Sequence, residues 1–157
     1  MAEEWLIDGY NLLHACAAVK DRTQFPSDRP ALLSVLAGFT AQKGRPMLVV
    51  MDGFGDPGEL DIHTTNLFHV VYSQKVSADT CIERILYERR AAAHFTVVTD
   101  DRAITNIARG GGAAVIGTSG FLEMLKELRK ESDQAQDRKK IDSHGFNRPF
   151  EDKLKDL

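Results

Sequence analysis

Four short acidic signals punctuate this chain: Leu6-Ile7-Asp8-Gly9-Tyr10-Asn11, Val49-Val50-Met51-Asp52-Gly53, Ser77-Ala78-Asp79-Thr80 and Val97-Val98-Thr99-Asp100-Asp101. Three follow short apolar runs, and Asp79 opens a helical pattern. A carboxylate at the end of an apolar strand is costly unless a cation or a hydrogen-bond network compensates it. Brought to one edge of a parallel sheet, several such groups form a pocket of hard oxygen donors suited to Mg²⁺ or Mn²⁺ and to phosphoryl chemistry. Each acid also has a plain structural reading. Asp8 and Asp52 precede glycine and can make turns. Asp79 suits the positive end of a helix dipole, and Asp100 or Asp101 can cap the helix that follows.

The elements that must position these acids read as alternating strands and helices, the pattern of a parallel α/β sheet. Strands are expected at Trp5–Ile7, Met47–Met51, Phe68–Tyr72, Phe95–Thr99 and Ala113–Ile116. The continuous apolar run Met47–Met51 belongs in the sheet centre. Helical spacing covers Leu12–Val19, Ala31–Ala41, a long segment from the Ser77 cap to about Ala93, Arg102–Arg109 and Phe121–Lys130. Asp28 and Pro30 suit the start of the second of these. Gly110-Gly111-Gly112 follows a helix, so it reads as a helix stop and not as a phosphate cradle. Lys20–Pro30 and Gly53–Thr65 read as polar loops. After Glu131 the apolar period fails, and residues 132–157 are expected to be a polar C-terminal tail, partly ordered, with Phe146, Phe150 and Leu154 as anchors. The reading is one domain, residues 1–131, followed by that tail.

In open α/β sheets ligands gather outside the carboxyl ends of the strands, where strand order reverses. Asp8, Asp52 and Asp101 all belong at that edge, and the helix carrying Asp79 can start there. Four acids together without a cation would raise one another's pKa values and strain the fold. The remaining composition is compatible with such a site. At 157 residues and 43% hydrophobic content, the chain can bury a real core. A net charge of −3 excludes a protein that grips nucleic acid by bulk charge alone, but it does not exclude an enzyme whose acids are neutralised by metal. Cys16 and Cys81 lack metal-ligand spacing and read as buried free thiols of a reducing compartment. No leader or membrane-spanning pattern is visible, so a cytoplasmic protein is expected.

Taken together, Asp8-Gly9-Tyr10-Asn11-Leu12-Leu13, Val-Val-Met-Asp52, Val-Val-Tyr72-Ser73, Ser77-Ala78-Asp79-Thr-Cys-Ile-Glu83-Arg and Val-Val-Thr99-Asp100-Asp101-Arg102 resemble, in content and order, the YacP-like NYN-domain family of the PIN-like nuclease superfamily. The resemblance spans roughly residues 5–128. It implies a PIN-like three-layer α/β/α sandwich around a mainly parallel sheet of about five strands. It also implies a Mg²⁺- or Mn²⁺-dependent endoribonuclease, with relatives acting on messenger RNA at the ribosome. Carried over by motif, Asp8, Asp79 and Asp101 are the core metal-binding and catalytic acids and Asp52 an additional ligand. Asn11 positions Asp8, a phosphate or a water, and Thr99 orients the acidic loop. Many PIN-like nucleases carry one further acid where this chain has Ala103. Asp100 is the candidate substitute, although on an extended chain it should point elsewhere.

Substrate contacts would come from Lys75 and Arg102, adjacent to the acids, and from Arg22 and Arg29 in or beside the polar stretch, with Lys20 a further candidate. Tyr10 can stack on a base or pack inside. Arg84, Arg89 and Arg90 read as a solvated helix face. His14, His63, His69, His94 and His144 have no ligand spacing and read as core or surface residues. Two other functions fit the same residues: an RNA- or ribosome-binding module that hydrolyses nothing, favoured by Ala103, and a small-molecule phosphohydrolase. The latter usually needs an Asp-x-Asp loop, which Asp8-Gly9-Tyr10 lacks.

Overall fold

The computed structural model describes residues 3–21, 23–55, 65–88 and 94–155, with side chains up to residue 139. Five strands, β1 (Glu4–Asp8), β2 (Met47–Met51), β3 (Phe68–Tyr72), β4 (Phe95–Val98) and β5 (Ala114–Ile116), form one parallel sheet in the order β3-β2-β1-β4-β5. β1 is therefore the central strand, and β2 is buried along its whole length beside it. The chain builds outward from β1 to β3, then crosses to the other side for β4. The reversal of order falls between β1 and β4, where Asp8 and Thr99 leave the sheet, the place at which open α/β sheets gather ligands.

Five helices connect and cover the strands: α1 (Gly9–Ala18), α2 (Arg29–Lys43), α3 (Ala78–Glu88), α4 (Arg102–Gly110) and α5 (Thr118–Lys155). Alternation along the strands sends their side chains to opposite faces. Leu6, Leu48, Val50, Phe95 and Val97 pack with Ala78, Ile82 and Leu86 of α3 and with Ile104 and Ala108 of α4. On the opposite face Trp5 meets Phe39 of α2 and Phe121 of α5 edge-on, with ring centroids 5.9 and 5.3 Å apart. The result is three layers, α/β/α. Asp28 caps α2 by accepting from the Ala31 N–H (2.9 Å), with Pro30 in the first turn as the sequence implies.

Two boundaries differ from the sequence reading. α1 begins at Gly9, directly after β1, and not at Leu12. A Cβ on residue 9 would lie 2.5 Å from the Met51 sulfur and 2.8 Å from the Val50 carbonyl oxygen, so only glycine lets the helix turn this tightly over β2. The last helix runs from Thr118 to Lys155 instead of stopping at Lys130. Its residues beyond 130 lose the apolar period, but the first ten, Glu131–Lys140, are rich in good helix formers, and extending an existing helix requires no new nucleus. Residues 1–122 form one compact unit and residues 123–157 a second. The long helix expected after Ser77 is described to Glu88; its expected continuation to Ala93 lies outside the described residues, as does most of the Gly53–Thr65 loop. Both cysteines are free, Cys16 buried and Cys81 only half-buried. No helix among the described residues is long and apolar enough to cross a membrane.

Candidate active site

Because β1 passes into α1 without a loop, Asp8 is both the last strand residue and the helix cap. Its Oδ1 accepts from the Asn11 N–H (3.3 Å), and its Oδ2 from Asn11 Nδ2 (2.9 Å) and Thr99 Oγ1 (3.1 Å). The side chain is only 1% exposed. Burial raises its pKa above the ordinary carboxylate value and the negative charge of Asp79 adds to the rise; the hydrogen bonds from Asn11 and Thr99 oppose it without cancelling it.

Thr99 and Asn11 stitch this acid to the next strand end. The buried Thr99 hydroxyl, which donates to Asp8, also accepts from the Asp101 N–H (3.1 Å). Asn11 Oδ1 accepts from the Asp100 N–H (3.4 Å). Asp101 caps α4 through the Ile104 N–H (3.0 Å). Asp100 turns the other way: its Oδ1 accepts from the Thr118 N–H (2.9 Å) and its Oδ2 from the Thr118 hydroxyl. It therefore holds the start of α5, pointing away from Asp101 as expected of its neighbour on an extended chain. Ala103 itself is exposed in the first turn of α4.

On the other side, Asp52 Oδ1 accepts from Ser73 Oγ (3.2 Å) and from the Ala78 N–H (3.1 Å) at the start of α3. Ser77 completes that cap by accepting from the Thr80 N–H (3.1 Å). Asp79 is thereby held at the same edge, exposed to solvent. Desolvation first, then Asp101, then Asp52 raise its pKa, and no hydrogen bond from a described residue lowers it. The capping and turn roles are thus occupied by Asp8, Asp52, Asp100 and Asp101, while Asp79 caps nothing and sits in the first turn of α3, at the positive end of its dipole.

Asp79 links the acids electrostatically: its charge raises the pKa of Asp8, and Asp101 and Asp52 in turn raise that of Asp79. None of the four has an ion-pair partner among the described residues. As they stand, no three described His, Cys, Asp or Glu side chains are disposed to hold a metal ion. The donor chemistry nevertheless fits Mg²⁺ or Mn²⁺: all donors are carboxylate oxygens, and their mutual repulsion is relieved by positive charge. Mg²⁺ keeps several waters and is commonly held by one or two carboxylates together with substrate phosphate, so a complete protein cage is not required.

Lys75 and Arg102 are exposed beside the acids, in the β3–α3 connection and in the first turn of α4. Arg29 lies at the start of α2 with its guanidinium 5.4 Å from the centre of the Tyr72 ring, so it also reaches this edge of the sheet. Arg22, Arg89, Arg90 and His63 lie outside the described residues, and the His144 side chain is not described. His14 contacts Tyr10, with Nε2 3.0 Å from the phenol oxygen. Sequence reasoning missed Ser73 and Thr118, which hold Asp52 and Asp100. The signal for Ser73 was available: a hydroxyl residue directly after a strand and ahead of a helix start.

These features define an α/β/α protein with an acid-lined crevice at the reversal point of a parallel sheet. Residues 5–156 match the family model of the YacP-like NYN domain, and the chain belongs to that family. The family lies in the PIN-like nuclease superfamily, and membership points to ribonuclease activity. The fold is similar to that of Rae1 (YacP) from Bacillus subtilis, at 22% identity and a TM-score of 0.69 over 91% of this chain and 84% of that one. A mutant form of the same protein aligns at 22% identity and a TM-score of 0.63, covering 84% and 80%. No curated protein matches the chain.

Proposed function

We propose that the chain is a Mg²⁺- or Mn²⁺-dependent endoribonuclease that hydrolyses phosphodiester bonds of RNA, with messenger RNA on the ribosome in the cytoplasm as its setting. The observation that carries the chemistry is the gathering of Asp8, Asp52, Asp79 and Asp101 from separate elements at one sheet edge with no ion-pair partner among the described residues. The family supports RNA as the substrate. Residues 1–131 are assigned to the nuclease domain and residues 132–157 to an appended polar segment.

Asp8, Asp79 and Asp101 would hold the ion, with Asp52 in support. When bound, it would lower the pKa of a water and offset negative charge on the phosphate. The protein's own contribution is positioning. Asn11 and Thr99 keep the Asp8 carboxylate in one orientation, and Thr99 ties that orientation to Asp101. Lys75, Arg102 and Arg29 would draw the RNA backbone towards the acids, and Arg22 is a further candidate. A non-hydrolysing RNA-binding module is the second reading, favoured by exposed Ala103 where many relatives carry an acid.

Incubation with single-stranded RNA separates the two. The nuclease reading expects cleavage with Mg²⁺ or Mn²⁺, none with EDTA, and none from Asp8→Asn or Asp101→Asn. Cleavage retained at the wild-type rate by both variants overturns the assignment. RNA binding without cleavage, on free RNA and on ribosomes, supports the binding module.

A further inference from the structure

The chain repeats one small pattern at two neighbouring strand ends: Ile7-Asp8-Gly9-Tyr10 after β1 and Met51-Asp52-Gly53-Phe54 after β2. In each, an acid of the coupled group is followed by glycine and then by an aromatic residue. The two strands are hydrogen-bonded neighbours, about 4.8 Å apart, so both aromatics leave the sheet at the acidic edge. Both are also turned out to solvent, Tyr10 54% and Phe54 65% exposed. Among the described residues the other large exposed hydrophobics are Tyr87 and Ile107, on the outer helices α3 and α4.

Neither aromatic is exposed because its backbone is loose. Tyr10 lies in the first turn of α1, and its ring packs against His14 with centroids 4.8 Å apart. The two glycines that flank Phe54 both lie against the end of β3 and the residues just after it. Gly53 donates to Ser73 Oγ (3.0 Å) and accepts from the Gln74 N–H (2.8 Å). Gly55 lies so close to the Tyr72 ring that a Cβ there would fall 2.3 Å from it. An apolar ring kept in water on a fixed backbone is unfavourable for the free protein. It becomes favourable when a flat partner covers it.

We propose that Tyr10 and Phe54 are two stacking platforms that receive unpaired nucleobases of single-stranded RNA on either side of the phosphate at the acidic crevice. The commitment to RNA bases rests on the nuclease reading above, on continuity with the acids, and on the exposed cations Lys75 and Arg102 at the same edge. Stacking on an aromatic face is tolerant of sequence but requires bases free of a duplex.

The test is binding of a fluorescein-labelled single-stranded RNA oligomer, followed by anisotropy in EDTA, beside a duplex of the same sequence. Tyr10→Leu and Phe54→Leu keep apolar bulk and lose the ring. Each is expected to weaken single-strand binding about 5- to 150-fold, the range that stacking losses produce, with duplex binding changed less than 2-fold. Tyr10→Phe and Phe54→Trp are expected to hold wild-type affinity, and all four to keep the wild-type melting temperature. Wild-type affinity in both leucine variants, equal losses for single strand and duplex, or no single-strand binding by the wild type each overturns the proposal. Because binding is read without metal, a protein that never cleaves RNA yet loses affinity in the leucine variants refutes the nuclease reading and leaves the platforms standing. Metal-dependent cleavage with unchanged single-strand affinity in the leucine variants does the reverse.

Discussion

The two ends of the same sheet treat charge in opposite ways. At the amino end Arg45 lies over Trp5, 4.1 Å from the ring centre, and each of its contacts is compensated. Its Nη2 donates to Thr96 Oγ1 (2.6 Å) and stands 3.3 Å from a Glu3 carboxylate oxygen, while its Nε donates to the Glu3 carbonyl (2.9 Å). Burial depresses the guanidinium pKa, and Glu3 pushes it back. At the carboxyl end four acids share one edge with no ion-pair partner among the described residues, and two of them are held above their ordinary pKa. A charge that serves the fold is matched by the fold. A set of like charges left unmatched at a strand-order reversal marks the place where something else must supply the opposite sign.

The largest effect that would sharpen this comparison is on turnover. Asp79→Asn and Asp101→Asn should each lower RNA cleavage by more than the roughly 100-fold typical of losing an outer-shell partner of a metal, measured as kcat/KM on a single-stranded substrate. Arg45→Met should leave cleavage within 2-fold. If Arg45→Met impairs turnover as severely as the acid variants, the functional contrast between the two ends is wrong.

Stability should rank Arg45 and Asp79 the other way. Arg45→Met removes charge-assisted hydrogen bonds at a half-buried site and should cost about 1–2 kcal/mol in urea unfolding. Thr99→Val should cost about 2 kcal/mol at neutral pH, because it takes a donor from buried Asp8 and an acceptor from the Asp101 N–H. Acidification should shrink that loss as Asp8 takes up a proton. By contrast Asp79→Asn removes repulsion from an exposed position and with it only a modest favourable contact with the α3 dipole, and the metal-free protein should melt within about 1–2 °C of the wild type. A clear drop would show Asp79 to be a structural residue.

The smallest effect is the dependence on pH. Asp8 and Asp79 bind protons more tightly in the folded protein than at the ordinary value of 3.8. Their neutral forms therefore favour folding fully below 3.8, and this contribution is lost as pH rises through the raised folded values. In metal-free buffer, wild type minus Asp79→Asn should show stability falling over that window. A flat difference would mean that Asp79 is not coupled to its neighbours.

Much of this was legible in the residues themselves. The apolar runs of β1, β2 and β4 identify buried parallel strands, and the acids directly after them belong at the carboxyl edge whatever the strand order. What no local pattern specifies is the order β3-β2-β1-β4-β5, which sets Asp8 beside Thr99 and couples Asp79 to both Asp52 and Asp101. The destination of Asp100 was hidden for the same reason: Thr118 is 18 residues away and is returned to it only by β5. The end of α5 was misplaced because apolar periodicity reports burial, and a polar helix has little of it. The start of α1 depends on Gly9 lying against β2, a contact between a helix and a neighbouring strand that sequence spacing does not reveal.

The central claim is that the carboxyl-edge acids are left unmatched because they take up a divalent cation, and calorimetric titration with Mn²⁺ tests it most directly. The wild type should give a saturable heat. Asp79→Asn should abolish or strongly weaken it, while Glu83→Gln, four residues along the same helix, should leave it unchanged. No heat from the wild type, or the same isotherm from Asp79→Asn as from the wild type, would contradict the claim.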